Sequence, residues 1–162
     1  MQQGRILVAE HSGAFVVKLI GDVRLSFCTA LDAFLDRMFA SPNFASVIID
    51  LTEAENIDST TLGQLVKIAI NADRRFKLHP LLLSTNPDIT RVLDAMGFGR
   101  VFDIRKQRPQ SRDELRDLPQ VDGTESAVRE RVIEAHQVLM GMNEQNRAKF
   151  QELVCALEAS RS

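Results

Sequence analysis

Residues 46–63 (SVIIDLTEAENIDSTTLG) decide the fold, because they hold a strand, a loop and a helix start in immediate succession. Residues 46–51 form a short apolar run bounded by polar residues, which predicts a buried strand. A polar loop from Thr52 to Asn56 is expected next. The helix is predicted to begin at Asp58, Ser59 and Thr60, since all three are good N-cap residue types. Its apolar face follows at helical spacing as Leu62, Leu65, Val66, Ala69 and Ile70.

Strand and helix patterns alternate on both sides of this stretch. Residues 5–10 and 14–20 predict a hairpin that turns at Ser12-Gly13, and Gly21 is expected to close its second strand. An apolar stripe from Phe27 to Phe39 then predicts a helix that stops at Ser41-Pro42.

Three further elements are predicted after residue 77. Residues 78–84 read as a strand, and Pro80 places it at an edge or marks its start. A short helix opens at Asn86-Pro87 and ends at Gly97, and residues 101–104 form a last strand. The order β-β-α-β-α-β-α-β predicts an α/β fold with a mixed, mainly parallel sheet and packed helices.

The rest of the chain predicts a linker and a helical hairpin. Residues 105–123 are charged and contain two prolines, and Ser111-x-x-Glu114 matches a capping box for a helical turn. Asp122-x-x-Glu125 is a looser helix-start pattern, and Asn143 is suited to cap a second helix. The predicted division is therefore a domain at 1–104, a linker at 105–123 and a hairpin at 124–162. Two helices bury too little area to stand alone, so this hairpin should pack on the first domain, on a second copy in a homodimer, or on another protein.

The composition excludes several classes of function. The chain has 162 residues, 44% of them hydrophobic and 26% charged, and a formal net charge of −2. Such a near-neutral chain is a poor candidate for direct binding to nucleic acid or to an anionic membrane. No apolar run approaches the ~20 residues of a membrane-spanning helix, and the first residues lack a signal-peptide pattern. We therefore expect a cytoplasmic protein.

The cysteines and histidines predict neither disulfide nor metal site. Cys28 and Cys155 lie far apart within apolar helical patterns, which favours two buried free thiols. The three histidines, His11, His79 and His136, do not cluster at metal-ligand spacing. We expect no metal and no cofactor.

The hydroxyl cluster at Ser59 has two interpretations. A phosphate there would meet unpaired N–H groups and the positive end of the helix dipole, although the carboxylate of Asp58 would oppose it. The simpler interpretation is that these residues cap the helix, and the local pattern alone favours capping.

Beyond this local pattern, the sequence resembles the STAS domain, and within it the bacterial anti-sigma factor antagonists, over residues 4–104. The resemblance depends on the order and spacing of several blocks. These are Val16–Gly21-Asp22, Val47–Leu51, Ile57–Thr60 with Leu62-Gly63, Val92-Leu93, Met96–Phe98 and Val101–Ile104. It implies a STAS-type sheet followed here by the helical hairpin, and it makes Ser59, directly after Asp58, the regulatory phosphorylation site.

Two positions depart from the family pattern. Thr61 stands where the family often has glycine, which adds a candidate hydroxyl near Ser59, so Thr60 and Thr61 stay open as substitute acceptors. Arg24 stands where the family often has an acid, which reverses the charge next to Asp22. The resemblance implies a partner-binding set of Asp22, Arg24, Asp58, Thr60, Thr61, Leu62 and Gly63.

The implied function is partner switching. Unphosphorylated, the protein would bind an anti-sigma factor and so regulate transcription indirectly. A serine kinase, in some relatives the anti-sigma factor itself, would end that binding by phosphorylating Ser59, and a metal-dependent serine phosphatase would restore it. We expect the tail either to cover the binding face or to add a second partner surface.

Three alternatives remain. Catalysis is disfavoured, because the candidate nucleophiles Ser59 and Cys28 have no histidine nearby in sequence and no Gly-rich phosphate loop is present. A phosphorelay role for His136 is disfavoured because Leu139 and Met140 stand where such modules want Lys and Gly. A solvent-facing or partly packed structural histidine is expected instead. The last alternative is a STAS scaffold or small-molecule-binding module that does not act on a sigma factor.

Overall fold

The computed structural model describes residues 2–109 and 114–161. The first eight main elements alternate as the sequence predicts. The strands are β1 (Arg5–His11), β2 (Ala14–Val23), β3 (Ser46–Ile57), β4 (Leu81–Leu83) and β5 (Asp103–Arg105). The helices between them are α1 (Cys28–Ala40), α2 (Ser59–Phe76) and α3 (Pro87–Ala95). Short 3-10 turns precede α1 and follow α3 at Leu25–Phe27 and Phe98–Arg100.

The strands form one mixed sheet in the order β5-β4-β3-β2-β1-β6, where β6 is Arg116–Asp117. The pairs β2–β3, β3–β4 and β4–β5 are parallel, while β1 pairs antiparallel with β2 and with β6. The predicted mainly parallel sheet with packed helices is therefore confirmed. The predicted hairpin turn is also present, with Ser12 and Gly13 both at positive φ.

The loop predicted at Thr52–Asn56 is wrong, because β3 continues through it to Ile57. Glu53 and Glu55 are exposed while Ala54 and Ile57 are buried, so the segment is a strand with one solvent-exposed face rather than a loop. Gly21 does not close β2 either. The strand passes through a register shift next to Gly21, whose φ is 71°, and runs on beside β3 to Val23.

Two smaller expectations also need correction. The strand predicted at 78–84 is reduced to β4, which begins just after Pro80 as expected but lies inside the sheet between β3 and β5. Cys28 is a buried free thiol, whereas Cys155 is exposed, so the expectation of two buried thiols is wrong for Cys155. It lies on the side of its helix that faces solvent.

The segment predicted as a linker leads back to the sheet. Residues 116–117 pair with β1, and Leu118 is buried in the core. The helical turn predicted at Ser111-x-x-Glu114 lies partly outside the described residues. The division of the chain at residues 104 and 123 stays a prediction.

The C-terminal hairpin consists of α4 (Glu125–Met140) and α5 (Glu144–Ala159). Thr124 rather than Asp122 caps α4, and Asn143 caps α5 as predicted. The hairpin packs on the first domain. Its Leu139, Met142 and Phe150 belong to the same hydrophobic core as the strands and α1–α3.

A substitution at Gly13 tests the turn between β1 and β2. Its φ is 86°, and a Cβ added there would lie 1.8 Å from the carbonyl oxygen of Asn43. We expect Gly13→Ala to lower the free energy of unfolding by about 1–3 kcal/mol, because it combines backbone strain with a clash against main chain. Chemical denaturation measures this loss.

Gly99→Ala is the matched control, since nothing lies within 4 Å of a Cβ built on Gly99. It should change stability by no more than about 0.5 kcal/mol. Equal stability of the two variants would contradict the assigned turn.

Candidate functional site

The site is built where β3 ends and α2 begins. Asp58 has extended backbone angles and caps α2, because its Oδ1 accepts a hydrogen bond from the Thr61 N–H at 2.9 Å. Its Oδ2 accepts a second bond from the Leu25 N–H at 2.7 Å. One carboxylate therefore joins the first turn of α2 to the loop after β2, and it fixes Ser59 as the first residue of the helix.

The Ser59 hydroxyl lies against the C-terminal hairpin. Its Oγ is 2.8 Å from Nε2 of His136 in α4, across 77 residues of sequence. Nδ1 of His136 lies 2.7 Å from the Val132 carbonyl oxygen, which can only accept. In the neutral ring Nδ1 therefore carries the proton, and Nε2 accepts the hydroxyl proton of Ser59.

His136 is itself well enclosed. The side chain is 2% exposed, and its ring packs edge-on against Phe150 of α5 with the ring centroids 5.0 Å apart. The expectation of a solvent-facing or partly packed histidine is wrong about its exposure, because the ring is enclosed between α2 and Phe150. The contact with Ser59 was not foreseen.

The two neighbouring threonines are less accessible than Ser59. Thr60 and Thr61 are 3% and 1% exposed, whereas Ser59 is half-buried. Thr61 Oγ1 is buried and has no hydrogen-bond partner among the described residues. Ser59 is thus the hydroxyl nearest to solvent at the start of α2.

Asp22 and Arg24 lie at the end of β2 next to this helix start. The Asp58 N–H donates to the Val23 carbonyl, which sets the two strand ends side by side. Asp22 accepts hydrogen bonds from Asn56 Nδ2 at 3.0 Å and Arg24 Nε at 2.8 Å, and these bonds hold the pKa of the Asp22 carboxyl below its usual range. Arg24 therefore neutralises an acid on its own chain.

Leu62 and Gly63 complete the predicted set, and both are buried. A Cβ added to Gly63 would lie 2.2 Å from the Ala135 carbonyl oxygen, so α4 passes directly over this point of α2. The structure brings all the predicted residues to one end of the sheet. It also places Thr60, Thr61, Leu62 and Gly63 beneath the surface.

His136 is the site residue that sequence reasoning missed. No histidine lies near Ser59 in the sequence, but His136 lies next to it in space. No local sequence pattern indicates a contact between residues 77 positions apart. A serine–imidazole pair also occurs in hydrolases, but there a carboxylate commonly orients the ring, whereas here a backbone carbonyl does. Two surface cavities of about 570 and 410 Å³ open beside His79, and neither is lined by Ser59 or His136.

Within residues 2–109 and 114–161, no group of three or more His, Cys, Asp or Glu side chains is arranged to hold a metal ion. In the same part of the chain, no helix combines the length and apolar character needed to cross a bilayer.

Comparison with known proteins identifies the family of this chain. The family model of the STAS domain matches residues 5–111, which is more than half of the chain. The chain belongs to the STAS domain family. Its matched part holds β1 to β5 and α1 to α3, while β6, α4 and α5 lie beyond it. None of the proteins with curated descriptions matches the chain.

One solved structure similar to this STAS protein is that of an anti-sigma factor antagonist from Mycobacterium paratuberculosis. The two are 20% identical with a TM-score of 0.49. The match covers 65% of this chain and 87% of that one.

The capping role of Asp58 can be tested in this STAS domain. Asp58→Ala removes the acceptor for both the Thr61 and the Leu25 N–H groups. We expect the free energy of unfolding to fall by about 1–2 kcal/mol, measured by chemical denaturation.

Asp58→Asn is the matched variant, because its one amide oxygen still accepts the Thr61 N–H at the cap while its Nδ2 cannot accept the Leu25 N–H. It should recover part of the loss. If Asp58→Asn is as unstable as Asp58→Ala, the cap bond to Thr61 does not account for the stability of this helix start.

Proposed function

We propose that this STAS protein is an anti-sigma factor antagonist controlled by phosphorylation of Ser59, and that it regulates transcription without contacting nucleic acid. The observation that carries the proposal is the position of the Ser59 hydroxyl, which directly follows the capping carboxylate of Asp58. A phosphate added to this hydroxyl would place new negative charge beside the Asp58 carboxylate at the start of α2.

The phosphoryl group acts through its charge. A kinase transfers the terminal phosphoryl group of a nucleoside triphosphate to Ser59 Oγ; the nucleoside diphosphate leaves and the hydroxyl proton is released. The product adds about −1.5 to −2 charges at neutral pH. That change takes the formal net charge of the chain from −2 to about −4.

The new charge weakens binding for two physical reasons. It lies next to the Asp58 carboxylate, and it must be stripped of water when a partner docks on the face. A loss of even ~3 kcal/mol reduces affinity more than a hundredfold. A metal-dependent serine phosphatase would reverse the switch.

The protein acts by binding and catalyses no reaction in this proposal. Asp22, Arg24, Asp58, Thr60, Thr61, Leu62 and Gly63 form the partner-binding region around Ser59. Arg24 distinguishes this region, because its pairing with Asp22 leaves little of the acidic character that a partner of other family members would meet.

Binding of the unmodified and phosphorylated chains tests the proposal. The anti-sigma factor is first captured from the source cell by full-length Ser59→Ala protein and identified by mass spectrometry. It is then purified and titrated calorimetrically. We expect full-length protein with phosphoserine at position 59 to bind it at least a hundredfold more weakly than unmodified protein.

Phosphoserine at position 126 supplies the control, because Ser126 is exposed in the first turn of α4 and carries the same added charge elsewhere. It should bind like unmodified protein. Equal affinity of the Ser59-phosphorylated and unmodified chains would refute the switch.

A further inference from the structure

The C-terminal hairpin covers the face of α2 on which Ser59 lies. Ser59, Gly63 and Lys67 are spaced four residues apart and therefore share one side of the helix. Each of them contacts α4: Ser59 meets His136, Gly63 meets Ala135 and Lys67 meets Glu134. Three residues on one side of α2 therefore each contact one of three consecutive residues in a single turn of α4.

The middle contact is an approach of backbone to backbone. With a Cβ on residue 63, the Ala135 carbonyl oxygen would have to move, because their separation would be 2.2 Å. Glycine in a helix costs roughly 0.5–1 kcal/mol relative to alanine. At Gly63 the absence of a side chain offsets this cost, because it allows α4 to lie unusually close to α2.

Four charged side chains close the contact on one side. Lys67 Nζ lies 3.1 Å from Asp32 and 3.0 Å from Glu134, and Arg131 lies 2.9 Å from Asp32 and 3.0 Å from Glu134. Burial alone would lower the pKa of Lys67, but its hydrogen bonds to Glu134 and Asp32 outweigh burial and raise it. This ionic ring joins α1, α2 and α4 with no net charge.

The turn between α4 and α5 is anchored separately to the end of α3. Asn146 Nδ2 donates to the carbonyl oxygens of Met96 and Leu139, both at 2.9 Å, and Asn146 is buried. Arg100 donates to the Met142 carbonyl at 2.7 Å. These bonds place the hairpin in one orientation, with His136 above Ser59.

We propose that α4 and α5 form an intramolecular lid over the start of α2, and that lid docking and phosphorylation of Ser59 exclude each other. This inference rests on the proposed function, which makes Ser59 the phosphate acceptor. The hydroxyl proton directed at His136 is the atom that a phosphoryl group replaces. The Oγ–Nε2 distance of 2.8 Å leaves no room for a phosphorus atom between them.

The docked lid also competes with the anti-sigma factor. Ala135 of α4 lies over Gly63 and His136 contacts Ser59, so a partner that uses this face must displace the lid. The apparent affinity for the partner is then reduced by the fraction of molecules that are open. Phosphorylation therefore releases the lid but repels the partner through its own charge, whereas an open unphosphorylated chain binds the partner most tightly.

Hydrogen exchange of the full chain tests the exclusion without any partner protein. We compare unmodified protein with protein that carries phosphoserine at position 59 or, as the control, at position 126. We expect amides of α4 and of the first turns of α2 to exchange at least tenfold faster with phosphoserine 59 only. The amides of β2 and β3 should stay protected, which shows that the domain remains folded. Unchanged or slower exchange in α4 would overturn the lid.

A charge reversal tests the lid in the unphosphorylated chain. Arg131→Glu places a third acid beside Asp32 and Glu134, so it should speed exchange in α4 at least tenfold and strengthen anti-sigma factor binding at least tenfold. Arg147→Glu is the matched control, because Arg147 is exposed on α5 and pairs only weakly with Glu144, at 3.8 Å. It should leave both quantities unchanged.

The outcomes separate this inference from the proposed function. If Arg131→Glu and unmodified protein bind the anti-sigma factor equally, the lid is overturned even where phosphoserine 59 still abolishes binding. If no form binds an anti-sigma factor, the proposed function fails, and the exchange comparison still decides the lid. If the β2 and β3 amides of Arg131→Glu lose their protection from hydrogen exchange, Arg131→Gln replaces it, because this variant removes the positive charge without adding a negative one. Arg131→Gln should also speed exchange in α4.

Discussion

The close approach of two backbones at Gly63 and Ala135 is the constraint on which the rest of the site depends. It brings α4 near enough to α2 for His136 to reach the Ser59 hydroxyl and for Lys67 to reach Glu134. A side chain at position 63 would push the two helices apart and lengthen both contacts. The Leu62-Gly63 pair belongs to the part of the sequence matched by the STAS family model, whereas Ala135 lies outside it. The hairpin thus uses a small-residue face that the STAS domain itself provides.

Two opposing electrostatic effects meet at Ser59. The start of α2 presents the positive end of a helix dipole, which stabilises an added phosphate by about 0.3–1 kcal/mol where the site is exposed. The Asp58 carboxylate opposes that phosphate, but both of its oxygens already accept backbone hydrogen bonds. The folded domain can therefore carry the phosphate, while a surface that must dock over it cannot easily do so. In the proposed switch, this difference would let one modification change binding without unfolding the domain.

The sequence predicted the order of elements and the caps at Asp58 and Asn143 because these depend on local patterns, although it placed the start of α4 at Asp122 instead of Thr124. Asp58 and Asn143 cap their helices through bonds to residues only three positions away. The end of β3 escaped prediction because it depends on pairing with β2 beyond the shift at Gly21, and its exposed glutamates resemble a loop. The contact of His136 with Ser59 escaped for the same physical reason. It is fixed by helix packing over 77 residues, and neither helix alone encodes it.

The lid can respond to one phosphate because its docking free energy is a difference between opposing terms. Docking buries Leu139, Met142 and Phe150, and each buried side chain of this size contributes roughly 1.5–3 kcal/mol. Release of the hairpin returns backbone freedom worth about 1–2 kcal/mol for each residue that unwinds, since short isolated helices are marginal in water. Loss of the part-buried hydrogen bond between Ser59 and His136 removes about 0.5–1.5 kcal/mol from the docking side of this difference. Thermodynamic linkage makes the effect reciprocal. The factor by which lid docking disfavours the phosphorylated form of Ser59 equals the factor by which phosphorylation disfavours lid docking.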